Sequence, residues 1–251
     1  MAAVTNAEAY DRGFACLTSH AVGPLLAPAC EIRAGRLLDV GCGTGVVTAA
    51  ALALGAEVTA VDTDPAMLAL TARRHPYATI RQATLPELPF EDERFDAVAG
   101  NFVINHVPDT ARTLQELRRV LRPGGSLALT WWKADEMTAT DVIAEAIAAA
   151  GVPYDPPPRP FSACDTPPRF AALLEEARFR DVTIDTLRWR HRVDLAAWWT
   201  DVVQAGGRRF GFIAGQPPEV AERVKAHYLR LAAPYAEDGL PVCAHLARAT
   251  R

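Results

Sequence analysis

The stretch Leu37-Leu38-Asp39-Val40-Gly41-Cys42-Gly43-Thr44-Gly45 constrains this chain more than any other. An apolar run from Arg36 to Val40 stops at three alternating glycines, and an Ala/Val/Leu-rich segment, Val46 to Leu54, continues to Gly55. That order reads as a buried strand, a tight loop, and a helix with a glycine at its C-terminal stop. Glycines accept positive φ and let a ligand lie against bare backbone. The new helix adds unpaired N–H groups and a positive dipole end. A second strand, Glu57 to Val61, closes on Asp62. An acid about 20 residues beyond the first glycine is placed to bond a pair of ribose hydroxyls. The unit suits a nucleoside-like ligand.

The glycine spacing narrows the choice. A dinucleotide fingerprint needs G-x-G-x-x-G, its third glycine packing the helix on its strand beside a pyrophosphate. Here Gly45 comes one place early, and Val46 stands where that fingerprint wants glycine. No Gly-Lys-Ser/Thr follows, so a phosphate-cradling P-loop does not fit. The stretch instead resembles the first motif of class I S-adenosylmethionine-dependent methyltransferases, whose strand and loop read very nearly LDVGCGTG. Three later phrases resemble the same family in the same order. They are Thr63-Asp64-Pro65-Ala66-Met67-Leu68, then Leu88-Pro89-Phe90 with Phe95-Asp96-Ala97-Val98, then Arg119-Val120-Leu121-Arg122-Pro123-Gly124-Gly125. Together these phrases cover about residues 36 to 131.

Composition sets the outer limits. With 251 residues the chain can bury one substantial core, or a core plus a small cap. Half of the residues are hydrophobic and 22% are charged, which fits a globular protein and argues against long disorder. A net charge of −4 gives no global basic field for nucleic acid or an anionic membrane. No window approaches ~18 uninterrupted apolar residues, so no membrane span is expected. Cys16, Cys30, Cys42, Cys164 and Cys243 are scattered, without the C-x-x-C spacing of a zinc or redox site. Reduced thiols in a cytoplasmic protein are the expectation. Glu8 and Asp11 stand where a secretory signal would be apolar.

The leader, residues 1–35, allows short helices over Ala7 to Cys16 and Ala21 to Cys30, with Gly23-Pro24 as a break. Asp64 caps a helix that has Pro65 in its first turn and apolar residues through Thr71, and Pro76 ends it. Strands are expected at Ala78 to Gln82, Phe95 to Gly100 and Ser126 to Trp132. A helix from Thr110 to Leu121, capped by Asp109, lies between the last two and stops at the Arg122–Gly125 turn. Ala134 to Ala150 reads as a helix, and the prolines from Pro153 to Pro168 as a stiff irregular loop. A helix from Pro168 to Ala177, a strand from Asp181 to Trp189, helices over Leu195 to Ala205 and Glu219 to Ala232, and a strand from Leu240 to Ala249 complete the chain. The resemblance implies an α/β fold: a Rossmann-like, seven-stranded, mostly parallel sheet with helices on both faces and a small helical cap. The last strand runs antiparallel in that fold. The expectation is one domain over 1–251, with a leader at 1–35, a cofactor-binding core at 36–132 and an inserted cap at 190–238.

The same resemblance implies S-adenosyl-L-methionine as cofactor and S-adenosyl-L-homocysteine as product. It assigns Asp62 to the ribose, and Gly41, Cys42, Gly43 and Gly45 to the amino-acid end. Asp39 then fixes the loop and reaches the ammonium group through water. Thr63 follows Asp62 among the contacts, and Thr84, Leu85 and Met67 surround the adenine; plain core is the other reading of Met67. The family usually has an aspartate where this chain has Thr84, a weaker neutral acceptor for the adenine amine. Asn101 and Phe102, at the carboxyl end of the fourth strand, border the sulfonium and the substrate. Tyr10, in the leader, lines the pocket if the leader closes over the ligand, and otherwise belongs to a helix capping the sheet edge.

Methyl transfer from a sulfonium is an in-line displacement, so the protein mainly aligns the two reactants and excludes water. An oxygen or carbon nucleophile usually also needs a base. His106 is the best-placed candidate, with a supporting role in the pocket wall as the alternative, and His20 is the second. His191, His227 and His245 read as surface or packing residues. Trp131 and Trp132 alternate along their strand, so one faces the core and the other the opposite layer. Trp198, Trp199, Phe210 and Phe212 form either an aromatic acceptor pocket or the cap's own core. Arg208-Arg209 reads either as a hold for an acidic substrate group or as a solvated pair. No H-x-x-x-H or H-E-x-x-H spacing offers a metal site. The expected function is methylation of O, N or C on a small-molecule metabolite or natural product, with no nucleic-acid or membrane partner. The alternative is a protein of the same fold that binds the cofactor and catalyses another reaction, such as cyclisation. A nicotinamide dehydrogenase fails on the glycine spacing.

Overall fold

The computed structural model describes residues 6–27, 35–155 and 160–251, so Cys30, the end of the second expected leader helix and part of the proline-rich loop lie outside the described residues. The chain opens with α1 (Ala7–Tyr10), a π-helical turn (Asp11–Ala15), α2 (Cys16–Ser19) and α3 (Val22–Leu26). Next come β1 (Arg36–Val40), α4 (Val46–Ala53), β2 (Glu57–Asp62), α5 (Pro65–Arg74), β3 (Thr79–Gln82), β4 (Phe95–Asn101) and a 3₁₀ turn at Ile104–His106. They are followed by α6 (Thr110–Val120), β5 (Leu121–Met137), α7 (Thr138–Ala149), α8 (Pro167–Glu176) and β6 (Arg180–His191). The chain ends with α9 (Leu195–Gln204), α10 (Gly207–Phe210), α11 (Pro218–Ala232) and β7 (Leu240–Thr250).

All seven strands join one mixed, mostly parallel sheet in the order β3-β2-β1-β4-β5-β7-β6. β1 pairs in parallel with β2 on one side and β4 on the other, and β4 pairs in parallel with β5. The connections therefore run outward in opposite directions from β1 and β4. That reversal opens a crevice beyond the carboxyl ends of these two strands, where open α/β sheets bind their ligands.

Strand alternation divides the core between the two faces. On one face Leu38, Val40, Val98, Leu127, Leu129 and Trp131 meet Leu114, Leu117 and Val120 of α6 and Phe170 and Leu174 of α8. On the other, Leu37, Ala97, Ala99 and Ala128 meet Val22, Leu25 and Leu26 of α3 and Val47 and Ala51 of α4. Small residues on the second face let the two short helices lie close to the sheet. Asp64 and Asp109 cap α5 and α6 as expected, accepting from Ala66 N–H at 2.8 Å and Arg112 N–H at 3.0 Å.

Three local readings are corrected. Gly23-Pro24 is not a break: it lies within the first turn of α3, where a proline N–H has no helical acceptor to lose. Ala134 to Met137 belongs to β5 rather than to a helix, because sheet pairing overrides local helix propensity. Arg122–Gly125 is not a turn before the strand but an irregularity inside it, since Leu121 pairs with Phe95 and Ser126 with Ala97. Gly124 takes φ +75° there, and a side chain at Gly125 would stand 3.0 Å from the Asp96 carbonyl.

The chain divides into two compact units. The sheet unit comprises Thr18–Trp132, Arg159–Leu187 and Ala244–Arg251; the second comprises Met1–Leu17, Lys133–Pro158 and Arg188–Cys243. The second unit is thus wider than a cap at 190–238, taking in the N-terminal helix, the end of β5 and the segment after it. Within it Trp198, Trp199 and Phe210 are buried, as expected of an internal core. Trp198 donates its Nε1–H to the Ala139 carbonyl at 3.2 Å, and Trp199 packs against Tyr228 with ring centres 5.2 Å apart. Phe212 stacks on Tyr154 at 5.1 Å. The π turn puts Gly13 against Asp201, whose Cβ would be 3.2 Å from an added Cβ, and Arg12 donates to the Asp201 carboxylate at 2.9 Å. Among the described residues, no helix is long and apolar enough to cross a membrane.

Candidate functional site

The loop between β1 and α4 takes the backbone path its glycines permit. Gly41, Gly43 and Gly45 have φ of +67°, +54° and +92°. Its outer side is closed by neighbours. A Cβ at Gly41 would lie 2.4 Å from Cγ2 of Val103, and one at Gly45 would lie 2.8 Å from the ring of His75.

Asp62, at the carboxyl end of β2, faces this loop. Its Oδ2 accepts the Gly43 N–H at 2.9 Å and its Oδ1 accepts the Asp64 N–H at 3.0 Å. Each oxygen keeps a further lone pair, so the carboxylate is oriented without being used up. The loop has two more ties: the Cys42 N–H donates to the Val61 carbonyl at 3.0 Å, and the Thr71 hydroxyl to the Gly43 carbonyl at 2.8 Å. The sequence reading missed Thr71, because its partner lies 28 residues away on another element.

Asp39 is fully buried at the base of the loop. Its Oδ2 accepts the Thr48 hydroxyl at 2.7 Å, while its Oδ1 has no partner among the described residues. Burial pushes this carboxyl up to about 7, with the Asp62 charge adding to the rise and the Thr48 hydroxyl opposing it. An acid raised this way binds its proton more tightly folded than unfolded. Stability therefore falls as pH rises from about 4 to about 7 and is level above that. Urea unfolding across that range is expected to show this slope in the wild type and to lose it in Asp39→Asn. An unchanged slope in the variant would overturn the assignment.

Thr63 and Thr84 are exposed, Leu85 is half-buried and Met67 is buried on α5. The Ala83 N–H donates to the Asp62 carbonyl at 3.1 Å, which sets Thr84 and Leu85 just beyond the carboxyl ends of β2 and β3. Burial of its surroundings pushes the Cys42 thiol far up, so this cysteine stays protonated and unreactive.

At the end of β4, the Thr130 hydroxyl accepts the Phe102 N–H at 2.9 Å and donates to Asn101 Oδ1 at 2.8 Å. The Asn101 amide nitrogen donates to the Thr18 carbonyl at 3.2 Å. These bonds hold Phe102 at φ +58°, a left-handed conformation costly for an aromatic residue. Its buried ring stacks on Trp132 with centres 3.6 Å apart, while Trp131 is wholly in the core. The same Asn101 bond brings His20, two residues past Thr18, toward this end of the sheet. His106 follows on the 3₁₀ turn. Its ring is reachable by solvent, yet the protein around it pushes its pKa below the usual imidazole value, opposed in part by the Asp62 charge. That shift favours the neutral imidazole, the form able to accept a proton.

Within the sheet unit, hydrogen bonds join the glycine loop to Asp62 and Thr71, and Asn101 to Thr18 and Thr130. Asp39, Thr63, Met67, Thr84, Leu85, Phe102, His106 and His20 belong to the same unit. Tyr10 belongs to the second unit, where its ring lies 5.8 Å from that of Phe14. Among the described residues, no cluster of three or more histidine, cysteine or acidic side chains is placed to hold a metal.

Residues 38–129 match the family model described as a methyltransferase domain. An uncharacterised methyltransferase of Mycobacterium tuberculosis is 39% identical over 128 residues, 51% of each chain. A malonyl-[acyl-carrier protein] O-methyltransferase of Pseudescherichia vulneris is 36% identical over 124 residues, 49% of each. The chain spans about half the length of these curated relatives. Among solved structures, phosphoethanolamine N-methyltransferase 2 of Haemonchus contortus has the same fold, with a TM-score of 0.58 at 18% identity over 92% of this chain and 52% of that one. The matched segment runs from β1 to β5 and holds both the glycine loop and Asp62. It is this segment of the chain, from β1 to β5, that is similar to a methyltransferase domain.

Proposed function

We propose that the protein transfers a methyl group from S-adenosyl-L-methionine to a small-molecule acceptor. The observation that carries this reading is the glycine loop tied to Asp62 at the reversal of strand order. Two buried polar atoms on the same segment, Asp39 Oδ1 and Thr44 Oγ1, have no partner among the described residues, and a bound ligand or its waters would satisfy them. The residues present fit the cofactor. Asp62 has lone pairs for the ribose hydroxyls, the bare glycine backbone admits the amino-acid end, and Thr84, Leu85 and Met67 border the adenine. The Haemonchus contortus enzyme of like fold is a complex with S-adenosyl-L-methionine, which supports the same choice.

The cofactor supplies an electrophilic methyl group, so no acid is needed to activate it. The work left to the chain is alignment, exclusion of water and, for an oxygen or carbon acceptor, removal of a proton. His106 is the group we assign to that proton, with His20 as the second candidate. A net charge of −4 supports a small acceptor over nucleic acid.

Calorimetric titration with S-adenosyl-L-methionine and S-adenosyl-L-homocysteine tests the reading. Micromolar binding of both is expected despite Thr84. Absence of binding to either would overturn it.

A further inference from the structure

The hydrogen bonds around Gly43 close into a circuit that includes one residue with no place in the cofactor reading. Gly43 donates its N–H to Asp62 Oδ2, and Asp62 Oδ1 accepts the N–H of Asp64. Asp64 caps α5 through the Ala66 N–H. Along that helix, beyond Met67, the Thr71 hydroxyl returns to the Gly43 carbonyl at 2.8 Å. Both peptide groups of Gly43 are therefore held, one by the acid at the end of β2 and the other by the helix which that acid helps to start.

Thr71 is completely buried and leaves no surface for a ligand. Its hydroxyl also lies beside the Cys42 thiol, the residue before Gly43. One turn further on, His75 sets its ring against the Cα of Gly45, at 2.8 Å from where a Cβ would be. Thr71 on α5 and His75 just past its end thus bear on the second and third glycines, Thr71 through the Gly43 carbonyl and both through the space beside Gly45. A glycine loop has little conformational preference of its own, so a ligand that binds it must either find it ordered or bear the cost of ordering it.

We infer that Thr71 is a positioning residue for the cofactor: it acts through the Gly43 carbonyl and keeps the glycine loop in its binding form before the ligand arrives. This inference rests on the cofactor reading given above. It concerns the half of the ligand that meets the loop, and that makes it separable from a general loss of stability. S-adenosyl-L-homocysteine has an amino-acid end, whereas 5′-methylthioadenosine carries the same nucleoside without one.

The test is calorimetric titration of the full chain and its Thr71→Val and Thr71→Ser variants with both ligands, with melting temperatures measured alongside. Thr71→Val keeps the side-chain shape and leaves the Gly43 carbonyl without its donor. It is expected to raise Kd for S-adenosyl-L-homocysteine about tenfold and that for 5′-methylthioadenosine less than about threefold. Thr71→Ser, which restores the hydroxyl, should bring S-adenosyl-L-homocysteine back to within about twofold of wild type. Unchanged affinity of Thr71→Val for S-adenosyl-L-homocysteine would overturn the inference. So would an equal weakening of both ligands, which would make Thr71 a support of the fold alone. If the wild type binds neither S-adenosyl-L-methionine nor S-adenosyl-L-homocysteine, the cofactor reading itself fails, a result distinct from either of these.

Discussion

Replacing Asp62 with alanine is expected to weaken binding of S-adenosyl-L-methionine by about 2 to 4 kcal/mol, through loss of a charge-assisted hydrogen-bond pair. The structure adds a second reason for so large an effect. Asp62 accepts the N–H groups of Gly43 and Asp64, so its removal takes away one of the ties between the glycine loop and β2 and unpairs the approach to α5. The alanine variant therefore loses a ligand contact and part of the support of the loop beside it, keeping the Cys42 and Thr71 bonds. Asparagine should rescue little. Its amide has one oxygen for two backbone donors, and its NH₂ would face whichever N–H the oxygen does not take. Titration calorimetry on the two variants provides the check. An affinity for the cofactor unchanged from wild type in Asp62→Ala would remove Asp62 from the ribose.

Gly41→Ala is expected to reduce the stability of the whole chain. The residue sits at φ +67°, which for an L-amino acid costs about 1–2 kcal/mol. The new Cβ would also stand 2.4 Å from Cγ2 and 2.7 Å from Cβ of Val103, on the segment that leads from β4 into the His106 turn. Overlap of this kind in a packed region adds roughly 1–3 kcal/mol, for a total of about 2–5 kcal/mol. Gly55→Ala isolates the first contribution, since Gly55 has φ +86° and nothing within 4 Å of an added Cβ. Urea unfolding of the two variants side by side should place Gly41→Ala well below Gly55→Ala. Equal midpoints would mean that Val103 yields freely and that the loop and the end of β4 are not packed against each other.

Much of the fold was legible because its signals are local. The strand, the three glycines and the acid at the end of β2 lie within 27 consecutive residues, and each constrains the next through chain connectivity. The helix caps Asp64 and Asp109 announce themselves by their distance from the N–H they bind, two and three residues on. Local signals misled where pairing partners decide the outcome. Ala134 to Met137 has a helical composition and lies in β5. Gly23-Pro24 has the composition of a break and lies inside α3.

The sequence by itself determined that a strand, a glycine loop and a helix begin near Arg36, that an acid, Asp62, closes the next strand, and that the glycine spacing is not that of a dinucleotide fingerprint. Those facts follow from residues close together along the chain, and the sulfonium cofactor is what the resemblance of these motifs to a methyltransferase family adds. Only the tertiary structure decided which hydroxyls hold the loop and the end of β4. Thr71 reaches Gly43 across 28 residues and Thr130 reaches Asn101 across 29. A threonine on a helix or strand looks the same in sequence whether it faces solvent, the core or a backbone carbonyl. The packing of α5 on β2 and β3, and of β5 beside β4, chooses among these, and that packing depends on every apolar residue in the sheet unit at once.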